Sequence, residues 1–143
     1  MVAGQQSKRE GVVQSYPKNS IDVALRVLLL TLYADDLHQP PEKAEIRRQL
    51  PDLEIFTDGV FFGLYHEMDY FISKHDAEMK GLIEQHSLGH VIEETLNQID
   101  DAKLIPHLYG AMIRVAKSDG EIVGAENELI ERAKNMWNYS SAT

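Results

Sequence analysis

The chain has no cysteine among its 143 residues. That absence excludes thiol nucleophiles, disulfide frameworks and thiolate metal sites, and it fits a reducing compartment. Long apolar runs are also missing. The longest, Val23 to Ala34, covers 12 residues and carries Arg26, well short of the ~20 residues that a membrane-spanning helix needs. Direct membrane insertion is therefore not expected, and the run reads as a buried helix. Residues 1–19 lack the apolar core of a secretory signal, so a cytoplasmic location is the expectation. Positive charge is scarce: 14 Lys and Arg stand against 23 Asp and Glu, a net charge of −9. Such a surface repels nucleic-acid phosphates and anionic lipid and favours cations or basic proteins. No Gly-rich phosphate loop occurs, no serine sits in a nucleophile context, and no Glu-x-x-His pair marks a di-iron bundle.

What is present is helical periodicity. Residues 1–19 mix Gly, Gln, Ser, Lys and Pro without a period and read as a flexible arm. Ser20 can cap a helix reaching about Tyr33 that is apolar nearly all round, a pattern that belongs in the middle of a bundle. Pro41 suits the first turn of a short helix that Pro51 should stop near Leu50. Thr57 or Asp58 should open a helix striped by Phe61, Leu64, Tyr65, Met68, Phe71 and Ile72. Asp76 can cap the next helix, which passes Leu82 and Ile83 and should break at Ser87-Leu88-Gly89. Val91, Ile92, Thr95, Leu96 and Ile99 form a further stripe, and Asp100-Asp101 mark a boundary. Pro106 must lie in the first turn of a helix carrying Leu108, Ala111, Met112, Val115 and Ala116 inward. Leu129, Ile130, Ala133, Met136 and Trp137 line the last helix. No stretch alternates long enough for a strand. The expectation is an all-α single domain over residues 20–138, a bundle of about six or seven helices, with residues 139–143 as a tail.

One acidic pattern occurs twice. Asp35 is followed by Glu42 and then Ile46, and Asp119 is followed by Glu126 and then Ile130, at the same spacings. Each copy joins an apolar helical run to a charged one, which points to two related helix-turn-helix halves. The second copy looks at first like a calcium EF-hand. With Gly120 at the sharp-turn position, however, the first and third ligand positions fall on Val115 and Lys117, which supply no side-chain carboxylate. A single turn thus offers only a fragment of a coordination shell. Two turns brought together offer four carboxylates, Asp35, Glu42, Asp119 and Glu126. Four converging negative charges repel unless one takes a proton or a divalent ion joins them, and this is the physical argument for metal.

The stretch Val115-Ala116-Lys117-Ser118-Asp119-Gly120-Glu121-Ile122 with Glu126 resembles the signature of the TerB family of tellurite-resistance proteins, and Ala34-Asp35 with Glu42 resembles the first repeat of that family. The likeness covers roughly residues 20–138. Asp36 stands where the family has a turn glycine, Pro40-Pro41 stiffen the first copy, and Ser118 replaces the usual alanine in the second. The resemblance implies an all-helical protein of two related halves that binds metal at Asp35, Glu42, Asp119 and Glu126. It further implies a link to tellurite and stress resistance through a protein partner, which in that family can be membrane-associated, and no established catalysis. The ion is left open among calcium, manganese, zinc and magnesium.

Other polar residues have blander readings. Glu45, Glu121 and Glu128 are nearby acids that are solvated or join the turns. His38 reads as a surface residue; as a ligand it would favour zinc or manganese over calcium. His86 and His90 have the spacing to share a metal on one helix, but the expected break at residues 87–89 argues against it. His66-Glu67 lacks the second histidine of a metalloprotease. Two alternatives stay open: a metal-free acidic module that docks a basic or membrane-bound protein, and a hydrolase using metal-activated water with His38 as its base.

Overall fold

Helix α1 (Ile21–Ala34) is the axis of the molecule. In a computed structural model, which describes residues 16–34, 40–57, 67–118, 120 and 124–140 (the backbone alone for 40–42), α1 packs against every other helix. These are α2 (Pro40–Glu54), α3 (Met68–Gln85), α4 (Leu88–Leu96), α5 (Leu104–Lys117) and α6 (Gly124–Met136). Among the described residues there are six helices and no strand. The domain is thus the all-α bundle that the patterning indicates. The cause is the composition of α1, in which Val23, Ala24, Val27 and five leucines are buried on all sides. Burying five leucine side chains is worth on the order of 10 kcal/mol, and no single neighbour can cover them all.

The start of α1 is pinned twice. Ser20 Oγ accepts from the backbone N–H of Val23 at 3.2 Å, the expected cap. Asn19 takes a left-handed backbone, φ 63°, which Asn tolerates better than most residues. Its side chain then reaches the α4–α5 connection. Asn19 Nδ2 donates to Asp100 Oδ1 at 2.8 Å, and its Oδ1 accepts from the N–H groups of Asp100 and Asp101 at 2.8 and 3.0 Å. Lys18 also meets Asp100 at 3.2 Å, and these donors hold the exposed Asp100 carboxyl below its ordinary range, Asn19 first. Residues 16–19, which composition assigns to the arm, are therefore tied to the bundle.

Three boundaries differ from expectation. Pro51 does not stop α2, which runs on to Glu54. Ile46, Leu50 and Leu53 recur on one face and are buried, and burying Leu53 outweighs the one backbone bond that Pro51 cannot make. Asp76 does not open a new helix, since α3 runs unbroken from Met68 to Gln85. Asp76 instead accepts from Tyr33 Oη and pairs with Lys80 one turn on, at 3.3 Å. Thr57 opens no helix: it follows α2 in a bend and donates its Oγ1–H to the Glu54 carbonyl at 2.8 Å, while Asp58, Phe61, Leu64 and Tyr65 lie outside the described residues. At the other end, Asn138 has φ 50°, and the N–H groups of Tyr139 and Asn138 reach the carbonyls of Lys134 (2.9 Å) and Asn135 (3.2 Å). This Schellman closure orders residues 139 and 140 of the nominal tail, and Tyr139 packs on Tyr109 at 5.0 Å.

The break at residues 87–89 is present. Ser87 caps α4 by accepting from His90 N–H. Asp101 precedes α5, its Oδ1 accepting from Lys103 N–H at 2.7 Å, and Pro106 lies in the first turn of that helix. Trp137 closes the bundle by donating its indole N–H to the Leu96 carbonyl at 2.9 Å.

Replacing Asn19 tests the pin. Asn19→Ala should lower stability by about 2 kcal/mol, through lost side-chain bonds and the left-handed backbone. Asn19→Gly should recover about 1 kcal/mol of that by relieving the backbone alone. Urea denaturation of the two variants checks both magnitudes.

Candidate functional site

In chain order the first acidic turn joins α1 to α2 and the second joins α5 to α6, and the helices of each pair pack together. At an offset of 84 residues, the spacing of the repeat, several buried positions coincide, among them Ile21 with Ile105, Leu28 with Met112, Leu32 with Ala116, Ile46 with Ile130 and Leu53 with Trp137, whereas buried Val23 and Leu30 fall on exposed His107 and Arg114. The correspondence suggested by the acids thus extends to part of the core. Gly120 adopts φ 123° and donates its N–H to the Lys117 carbonyl at 2.9 Å, closing α5 in a conformation open mainly to glycine.

Of the four carboxylates, Glu126 is placed. It lies in the first turn of α6 with 0% exposure, where the positive end of the helix dipole favours a negative charge. Asp35, Asp119 and the side chain of Glu42 lie outside the described residues, as do His38, His66 and Glu121. A cleft of about 230 Å³ opens between the ends of α1, α4 and α6, with Glu126 not among its lining residues. Ala34, the residue before the first acidic turn, and Ala125, the residue before Glu126, both line it, over a floor of Leu88, Ile92 and Leu129. The end of α1 and the start of α6 therefore face a common space. Glu128 and Arg132 form its polar rim, and Arg132 also pairs with Glu93 at 3.0 Å. Glu45 is directed elsewhere: it accepts from Gln49, whose Oε1 accepts from Arg114 of α5 at 3.0 Å. Among the described residues, no three His, Asp or Glu side chains are grouped so as to hold a metal ion.

A second polar cluster, which the sequence reading missed, joins α1 to α3. His75 has 0% exposure and uses both ring nitrogens. Arg26 Nε donates to His75 Nδ1 at 3.0 Å, and His75 Nε2 meets Asp22 Oδ1 at 2.8 Å. A guanidinium only donates, so Nδ1 accepts and the ring carries its proton on Nε2, facing Asp22. Arg26 also pairs with Glu78, which accepts from Tyr16 Oη at 2.9 Å. The Tyr16 ring lies against the guanidinium, 4.6 Å from its carbon, and edge-on to His75. The signals were Arg26 within an apolar run and His75 continuing the buried stripe of Met68 and Ile72. With both nitrogens engaged the imidazole has no lone pair to offer a substrate, so the cluster acts as a strut and not as a general base. Burial, then the bond to Glu78, pushes Tyr16 up to about 12. Burial, then the bond to Asp76, likewise pushes Tyr33 up.

Comparison with known proteins adds no relative: no protein-family model, no curated protein and no solved structure matches this chain. No helix among the described residues is long and apolar enough to cross a membrane.

Removing Arg26 leaves His75 and Glu78 without their shared donor. Arg26→Ala should cost about 3–5 kcal/mol, while the paired change Arg26→Met/His75→Leu should recover much of that loss; thermal melts of the two variants decide it. Tyr16 is neutral when folded and titrates above its unfolded value. Its contribution is therefore full below about pH 10 and disappears as pH rises through about 12. Tyr16→Phe should flatten the fall of stability over that window.

Proposed function

We propose that this chain is a non-catalytic, TerB-like protein that binds one or two divalent cations where its two acidic turns meet, and that it serves tellurite or general stress resistance in the cytoplasm through a protein partner. The observation that carries the reading is the acidic pattern repeated at an offset of 84 residues, with Glu126 of the second copy buried in the first turn of α6. A buried carboxylate acts on a cation through a medium of lower dielectric than water, so its attraction is less screened than that of a surface acid. The donor set is all oxygen, which suits hard cations such as calcium, magnesium and manganese. Asp119 and Glu126 would make one half of the site, and Asp35 and Glu42 the other. The ion would supply the positive charge that lets these acids converge. It would also join the start of α6 to the end of α1, so that ion occupancy sets the surface a partner meets.

The test is a thermal melt of the full chain with calcium or manganese. At 100 times the dissociation constant, the ion stabilises by about 2.7 kcal/mol, and EDTA should reverse the gain. Asp119→Asn/Glu126→Gln should abolish the response. A wild-type protein indifferent to these ions, or an equal response in the double variant, refutes the reading. In that case salt-sensitive capture of a basic partner by the unresponsive protein points to a metal-free interaction module.

A further inference from the structure

His86 closes α3 and His90 lies in the first turn of α4. Their helix is interrupted between them, yet the two rings converge. Their centroids are 4.9 Å apart with planes inclined at 34°, and both side chains are exposed. The backbone fixes this approach from both sides. His86 N–H donates to the Leu82 carbonyl at 2.9 Å, and Ser87 Oγ accepts from His90 N–H at 3.1 Å. Among the described residues, neither ring is engaged by a hydrogen bond or an ion pair.

The separation has a chemical meaning. An imidazole bound through one nitrogen at about 2.0–2.1 Å places its ring centre a little over ~3 Å from the metal. Two such ligands at right to tetrahedral angles then lie roughly 4.5–5.2 Å apart, centre to centre. The observed 4.9 Å falls inside that window. Oxygen-seeking calcium and magnesium gain little from imidazole, whereas copper, nickel and zinc favour it. The dipoles of α3 and α4 oppose each other at this junction, so selectivity rests on the ring nitrogens. The net charge of −9 raises the local concentration of any cation.

We propose that His86 and His90 form a separate site for one borderline transition-metal ion, Cu²⁺, Ni²⁺ or Zn²⁺, bound through two imidazoles. Water completes the shell and leaves the ion exchangeable, open to a further donor from another molecule. Because the rings must be unprotonated to bind, acid competes with the ion. No residue of the acidic turns takes part, so this site and the oxygen site stand or fall separately.

Titration of the full chain with Cu²⁺, followed by calorimetry and electron paramagnetic resonance, tests the proposal. The expected result is one ion per chain with two equatorial nitrogens in the spectrum. His90→Ala should weaken binding about 100-fold, because chelation is lost, and should leave one nitrogen. Glu126→Gln should leave the copper signal unchanged. Both histidines are exposed, so His86→Gln/His90→Gln should melt as the wild type does. Copper binding of wild-type strength in that double variant, or a wild-type spectrum without paired nitrogens, overturns the proposal.

Discussion

A helix that is apolar on every side cannot rest on a surface. The need to enclose α1 dictates the position of everything else. Leu25, Leu28, Leu29, Leu30 and Leu32 point in too many directions for one or two partners, so five helices must arrange themselves around them. The anchors at the start of α1 follow from the same need. A central helix that slid along its axis would misalign each neighbour, and Asn19 prevents this by fastening the entry of α1 to the α4–α5 connection. The left-handed backbone at Asn19 is a local cost offset by several bonds to a distant segment.

Arg26 is the exception that such a helix must accommodate. A guanidinium inside a bundle carries a desolvation penalty that only dense hydrogen bonding can balance. Asp22, His75, Glu78 and Tyr16 supply that balance, and each comes from a definite place: one turn back on α1, two positions on α3, and the segment before α1. An apolar residue at position 26 would pack as well with fewer conditions. What the charged network adds is direction, since a guanidinium that must meet both His75 and Glu78 admits fewer registers of α3 against α1 than an oily contact does. Arg26→Met/His75→Leu separates these contributions, because it keeps the volume and removes the direction.

How far the sequence could be read follows from which interactions are local. Helix count, the cap at Ser20, the break at residues 87–89, the first-turn place of Pro106 and the inward stripe of α5 all depend on spacing within a few residues, and each was legible. The continuation of α2 past Pro51 and of α3 through Asp76 was not. In both, a residue with a strong local preference is overruled by a partner distant in the chain: the core around Leu53 for one, Tyr33 for the other. The strut at His75 was illegible for the same reason, because nothing in the spacing of α3 shows that Arg26 waits opposite. Glu126 was singled out for its place in the repeat, but its burial depends on how α6 meets α1 and α5. Spacing likewise foresaw the interruption between His86 and His90, and only the fold shows that the rings meet across it.

The two helix pairs differ where polar groups bridge them to their surroundings, while several core positions coincide at the 84-residue offset. Position 26 in the first half holds the buried arginine, and its counterpart at the 84-residue offset is Gly110. There the arginine comes one turn later, as Arg114, and turns toward α2, where it meets Gln49. A methyl group at Gly110 would approach the Arg114 guanidinium to 3.3 Å, so the glycine leaves the space in which that side chain lies. One half thus sends its cation to α3 and the other sends its cation to α2, while both retain Ile, Leu or Met toward the shared core. Conserving a core ties the hairpins together, and relocating the cross-links lets each face a different neighbour. The acidic turns recur at matching positions of both helix pairs, as does the arginine at 48 and 132, and the recurrence of the acids is the physical reason to look for their purpose in one common ligand.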